Sequence, residues 1–349
     1  MRIKSFSPFA ALILATFYSQ AFAHHSTSAN FLEDRMVEIE GTITSVRLRN
    51  PHVRFTMSVV NDLGAEVEWL VETNSLSGLR RLDVSTDEFA VGRELRIAGH
   101  PGRQRNTSIW ATNMLVADGR EVLVDSGANP RWSKDESIMS GPIFATEGDG
   151  SQPELGIFRV WSHTRATNML FPETVVPNFD VTTYPLTEAA RASVEAFDPV
   201  LQNPTRNCAP KGMPIIMEQP YPMQIADEDG NIVLYMEEYD AVRTIHMNQD
   251  ATPAGTPGGL HGYSTGRWEG NALLVHTDHL NWGWFDQAGI PLGEDAVVDE
   301  RFTLAEDGSR LDYTTTITAP STFTEPVSLS KFWLFVPGVE VKPFDCAKD

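Results

Sequence analysis

His52-Val53-Arg54-Phe55-Thr56-Met57-Ser58-Val59-Val60-Asn61-Asp62-Leu63-Gly64-Ala65-Glu66-Val67-Glu68-Trp69-Leu70-Val71-Glu72 is the stretch that decides the fold class. From His52 to Val60 polar and apolar residues alternate, which turns one face of an extended strand toward a core. Asn61-Asp62-Leu63-Gly64 supplies turn chemistry and the strand pattern resumes at Glu66, so the two runs form a hairpin. Working outward, Val37-Glu38-Ile39-Glu40 and the run 42–46 precede the hairpin, on either side of Gly41. The runs 94–98 and 109–114 follow it, with a short helix expected over 75–82. Short strands around one small helix predict an OB-like β-barrel over residues 24–124.

Residues 125–155 are rich in Gly, Ser, Pro and Asp and read as a linker. The remainder, 156–349, is again β-rich. Its one clear helix starts at the N-cap Thr187 and stops before Asp198-Pro199. Hairpin turns are expected at Asp227-Glu228-Asp229-Gly230-Asn231, Glu269-Gly270-Asn271 and Glu306-Asp307-Gly308-Ser309, which join an antiparallel β-barrel or sandwich. The chain is therefore mainly β, in two domains.

The 349 residues carry 27 basic and 47 acidic side chains, a formal charge of −20. Such a chain repels phosphate backbones, so nucleic acid is not expected as a partner. Residues 1–23 read as a signal peptide: Arg2 and Lys4, an apolar run over 9–18, then Ala21-Phe22-Ala23 as the cleavage pattern. Cleavage removes two cations, takes the charge to −22 and gives a periplasmic or secreted chain with no membrane insertion. In an oxidising compartment the two cysteines, Cys208 and Cys346, are expected to pair.

Several of these segments look familiar together. His24-His25-Ser26, Gly41-Thr42-Ile43, Asn50-Pro51-His52, Trp69-Leu70-Val71-Glu72 and Ile97-Ala98-Gly99 resemble a domain of unknown function at the mature N-terminus of secreted proteobacterial proteins. Cys208-Ala209-Pro210-Lys211-Gly212-Met213-Pro214, Arg243-Thr244-Ile245-His246-Met247 and Gly266-Arg267-Trp268-Glu269-Gly270 resemble its uncharacterised companion domain. The resemblance implies secretion and carries no activity with it.

Cleavage makes His24 the new N-terminus, where an amine and an imidazole meet on one residue. With His25 and His52 they form a nitrogen donor set suited to copper, otherwise zinc or nickel, and His100 is a further candidate. In the second domain, Arg243, Tyr263, Arg267, Trp282, Trp284 and Phe285 are the expected small-molecule contacts, since an aromatic loop can rim a pocket. Glu237 and His246 are the candidate general acid and base. Ser264 has Gly262 and Gly266 at nucleophile-elbow spacing, but strand pattern follows where a helix is required. His276 and His279 lack an evident third metal ligand. The expectation is a secreted binding protein with a metal site at His24 and a small-molecule cavity in the second domain. The alternative is a secreted enzyme: a copper-dependent oxidase at His24, or a lyase, isomerase or hydrolase using Glu and His of the second domain.

Overall fold

A computed structural model describes residues 30–50, 52–82, 84–116, 119–125, 128–133, 145–163, 184–198, 202, 204–205, 208–286 and 289–346. The N-terminal region contains β1 (Val37–Arg47), β2 (Arg54–Val60), β3 (Glu66–Glu72), α1 (Leu76–Arg81), β4 (Glu94–Pro101), β5 (Ser108–Leu115) and β6 (Glu121–Leu123). The alternation in β2 is realised: Phe55, Met57 and Val59 are buried while Arg54, Thr56 and Ser58 face outward. The side chain of Asn61 accepts the Leu63 and Ala65 N–H groups at 3.0 Å each and shapes the hairpin turn. Helix α1 is capped by the Ser75 hydroxyl, which accepts the Gly78 N–H at 2.9 Å, and packs Leu76 and Leu79 into the core.

The sheet order is β3-β2-β1-β4-β5-β6, and a parallel β3–β5 pairing closes the ring. That is the expected OB-like barrel. Expected runs 37–40 and 42–46 are one continuous strand, β1, because Gly41 sits where a side chain would meet the Ser58 carbonyl oxygen at 2.2 Å. Gly99 plays the same part between β4 and β5, where the register shifts.

The C-terminal region contains β7 (Val160–Trp161), α2 (Glu188–Glu195), β8 (Met223–Glu228), β9 (Asn231–Met236), β10 (Ala241–His246), β11 (Tyr263–Glu269), β12 (Ala272–Asp278), β13 (Val297–Leu304), β14 (Arg310–Thr318) and β15 (Val327–Leu334). These nine strands lie side by side in chain order, antiparallel except for the parallel β10–β11 pair. Reciprocal backbone bonds between Ser162 and Leu334, at 2.9 and 3.1 Å, join the two ends into a nearly closed barrel. Alternation again sets the inner face: Val298 and Phe302, Leu311 and Ile317, Leu329 and Trp333 all belong to one core.

Part of the segment read as a linker is pinned at both ends. Glu121 accepts the backbone N–H groups of Arg131, Trp132 and Ser133 at 2.7 to 2.9 Å, and Asp149 donates its N–H to the Phe335 carbonyl at 2.8 Å. Burial alone would raise the pKa of Glu121, but those donors and Asn113 outweigh it and leave it lowered. Cys208 and Cys346 are disulfide-bonded, as expected, and the segment after β15 reaches the first barrel, where Cys346 bridges to Asn50. There Asn50 bonds to the Phe344 carbonyl and to Ser77, Arg80 pairs with Asp345 at 3.0 Å, and Arg81 pairs with Glu237.

Candidate functional site

Buried charges are the natural place to look for function, because a charge taken out of water needs a partner or a purpose. Strand β10 turns Arg243 inward between Ala241 and Ile245, and β13 turns Glu300 inward between Val298 and Phe302. The guanidinium bonds both carboxylate oxygens of Glu300, one at 2.9 Å, and also reaches Ser264 at 3.1 Å, Thr277 at 2.8 Å and the Met217 sulfur at 3.8 Å. All five of its N–H donors are thereby used. Tyr313 donates its hydroxyl to Glu300 at 2.8 Å. Burial opposes the Arg243 charge, but the Glu300 carboxylate reverses that effect and its pKa ends raised. The cluster is a closed network.

The neighbouring layer differs. Lys331, turned inward on β15, sits over the Trp333 ring and donates to the Met217 carbonyl at 3.2 Å. Glu218 ends the 3₁₀ turn Ile215–Glu218 that carries that carbonyl. Its side chain lies among many protein atoms and keeps some accessible surface. No hydrogen bond and no ion pair within 4.0 Å reaches it from any described residue.

Burial pushes the Glu218 carboxyl up to about 7, with Lys211 and Lys331 holding it down and Asp286 and Glu238 adding to the rise. Burial pushes Lys331 down to about 8, against the opposing pull of Glu218 and Glu238. Lys211 is bound to Glu238 at 2.9 Å. Tyr184, raised by burial and then by Asp286 and Glu218, packs edge-on against Phe285 at 5.0 Å. The indole N–H groups of Trp282 and Trp333 are buried without an acceptor. Gly212 lies directly under Trp282, where a side chain would meet its Cβ at 2.4 Å, which keeps the aromatic loop against the 3₁₀ turn. Glu218 therefore lies within electrostatic reach of Lys211, Lys331 and Tyr184.

The residues expected from sequence fall in several places. Phe285 is buried against Tyr184 and Phe323, and Trp284 packs on Phe197 at 5.2 Å. Tyr263 lies away from them, stacked on His246 at 4.4 Å with its hydroxyl on Gln249. Arg267 is exposed on the outside of the barrel. Glu237 is fully buried at the domain junction, held by Arg81 and the Lys342 N–H at 2.8 Å; burial raises its pKa and Arg81 opposes the rise. His276 and His279 pair with Asp299 and Asp278. His24 and His25 lie outside the described residues. His52 contacts the Thr73 carbonyl at 3.2 Å and sets its ring edge-on to Trp110 at 5.1 Å, and His100 contacts the Arg35 carbonyl at 2.8 Å. Among the described residues no cluster of three or more His, Cys, Asp or Glu side chains is arranged to hold a metal ion.

Sequence reasoning missed Glu218 and Lys331. For Lys331 a signal existed: it shares the inward register of Val327, Leu329 and Trp333. Glu218 follows Ile215-Ile216-Met217 in a turn and carries no periodic signal.

Residues 12–110 match the model of a family of unknown function (DUF6152), a match that ends within β5 and covers less than half of the chain. Among curated proteins, none matches the sequence.

Proposed function

We propose that the protein is a secreted or periplasmic binding protein whose small-molecule site lies inside the second barrel, between Glu218 and Lys331. One observation carries this reading. Other buried charges of the second barrel are matched, Arg243 to Glu300 and Lys211 to Glu238, while no described residue bonds to or pairs with Glu218. Lys331 keeps donor capacity beyond its single bond to Met217. A ligand that carries both a donor and an acceptor would satisfy the two groups at once, and Tyr184 and Phe285 offer it an aromatic wall. The disulfide supports the placement outside the cytoplasm.

The test uses phenylalanine, phenethylamine and 3-phenylpropionate as probes in thermal-shift titrations at pH 7. At least one is expected to raise Tm, and the double variant Glu218→Gln, Lys331→Met is expected to lose that rise. If none of the three shifts Tm, or if the double variant shifts equally, the reading is wrong.

A second reading rests on the two pKa values. A carboxyl near 7 beside an amine near 8 is poised for proton transfer at neutral pH. If the protein turns a substrate over, its rate is expected to follow a bell between those values, and Glu218→Gln is expected to remove the acidic limb.

The transition-metal proposal at His24, His25 and His52 is separate. Its support is the sequence, and it predicts that chain beginning at His24 binds copper and that one extra residue before His24 abolishes the binding.

A further inference from the structure

The outer face of the second barrel carries a depression of about 330 Å³ across β11, β12, β13 and β14. Strand register builds it. Arg267, Leu274, Arg301 and Thr314 stand opposite one another on the four successive strands, so all share the outward face. His276 opposes Asp299 in the neighbouring row, two residues further along β12. Half-buried Leu274 is the apolar floor, and polar groups stand around it. Some of those groups are already committed. Arg301 pairs with Glu269 at 3.2 Å, and His276 Nδ1 meets the Asp299 carboxylate at 2.7 Å. An ionised carboxylate only accepts, so Nδ1 carries the proton of that bond and leaves Nε2 as an acceptor in the neutral ring. No described residue bonds to Nε2, to the Arg267 guanidinium or to the Thr314 hydroxyl. The other arginines on β8 to β15 each pair with a carboxylate: Arg243 with Glu300, Arg301 with Glu269 and Arg310 with Asp312. Arg267 is exposed and needs no partner for stability, so its charge stays available.

We propose that this depression binds a sugar acid, a carboxylate carried on a hydroxylated ring. The carboxylate takes the fork of Arg267, the C–H face of the ring lies on Leu274, one hydroxyl donates to His276 Nε2 and another meets Thr314. A planar carboxylate fits a guanidinium fork, and one open guanidinium matches one negative charge, which favours a carboxylate over a phosphate dianion. Arg267 and His276 are diagonal neighbours on adjacent strands, about 7–8 Å apart, a span that a single six-membered ring and its carboxyl group can bridge. The volume is at the small end of small-molecule sites. The site lies outside the barrel and is independent of the one proposed within it.

The test titrates D-glucuronate against the full mature chain at neutral pH and follows it by saturation-transfer NMR. Saturable binding is expected. D-Glucuronamide keeps the ring and loses the charge, and it is expected to bind about tenfold more weakly or worse. Cyclohexanecarboxylate keeps the charge and loses the hydroxyls, and the same weakening is expected of it. Arg267→Met and His276→Phe are each expected to weaken glucuronate binding about tenfold or more, the loss of one charge-assisted contact or of one acceptor. Both positions are exposed, and a circular dichroism spectrum matching the parent shows that each variant remains folded. Absence of saturable glucuronate binding overturns the proposal. So does equal affinity for glucuronate and glucuronamide, or parent-like affinity in either variant.

Discussion

Arg243→Met is the perturbation that most directly weighs the inner network of the second barrel. In the parent protein Arg243 and Glu300 are 2 % and 4 % exposed, and the guanidinium makes two of the bonds that Glu300 receives. Without it, the carboxylate keeps the Tyr313 hydroxyl at 2.8 Å and a long contact to Thr277 at 3.5 Å. The Ser264 and Thr277 hydroxyls retain each other at 2.9 Å, so their loss is small. The dominant effect is an uncompensated buried charge, which costs about 3–5 kcal/mol. Removing the carboxylate as well, in Arg243→Met with Glu300→Leu, takes that penalty away, and the double variant is expected to fall within about 2 kcal/mol of the parent. Equilibrium urea unfolding followed by tryptophan fluorescence reads the difference, since Trp333 lies 5.3 Å from Tyr313 inside the same barrel. A single-variant cost below about 1 kcal/mol, or a double-variant cost equal to the sum of the two singles, would refute the account of Arg243 as half of a closed structural pair.

Three other outcomes follow from particular contacts. Glu218 has a folded pKa of about 7 against an ordinary 4.5, so its contribution is full below about 4.5 and declines as pH rises through 7; Glu218→Gln is expected to flatten that decline and to gain up to about 3 kcal/mol at pH 8, read as Tm against pH, and an unchanged pH profile would contradict it. Replacing both Cys208 and Cys346 by Ser opens a loop spanning 138 residues and is expected to cost about 4–5 kcal/mol in the same urea assay, with a cost under about 1 kcal/mol as the contrary result. At Gly99 an added side chain would meet the Trp110 carbonyl oxygen at 1.9 Å, so Gly99→Val is expected to cost at least about 2 kcal/mol or prevent folding, and parent-like stability would show that β4 and β5 can part there at little cost.

How much of this was legible in the residues depends on the element. Alternation is local, so β2, β3 and the hairpins of the second barrel could be read directly, and the N-cap Thr187 marked α2 correctly. Barrel closure is not local. The parallel β3–β5 pairing and the Ser162–Leu334 seam join segments far apart in sequence, and only the fold class anticipated them. Strand β7 is only two residues long: just before it the Arg159 N–H turns back to the Ile157 carbonyl at 2.9 Å, while the Arg159 carbonyl accepts the Ile225 N–H at 3.1 Å. Among site residues, the aromatic loop was visible as composition, but its docking on Gly212 was not. A charged side chain at an inward register position is a readable signal, and Arg243, Glu300 and Lys331 all display it. Glu218 and the row of Arg267, Leu274 and Arg301 depend on a turn and on a strand register, which the residues alone do not specify.

Glu218, Glu237, Glu238 and Glu300 are four carboxylates of one type set in similarly crowded surroundings, and their partners assign them different roles. Arg81 fixes Glu237 and, with it, the junction between the barrels. Arg243 fixes Glu300 and the inner layer of the second barrel. Lys211 fixes Glu238 beside the segment that carries the 3₁₀ turn. Each of these pairs holds two parts of the chain in register, although one oxygen of Glu237 stays buried without a hydrogen-bond partner. Glu218 joins nothing, although Lys211 and Lys331 are near enough to act on its charge. An apolar or amide side chain in its place would be more stable at neutral pH by the linkage worked above. The proposed ligand site would give that carboxylate the contact that no described residue supplies, and the stability it costs at neutral pH is the trade expected of a functional group.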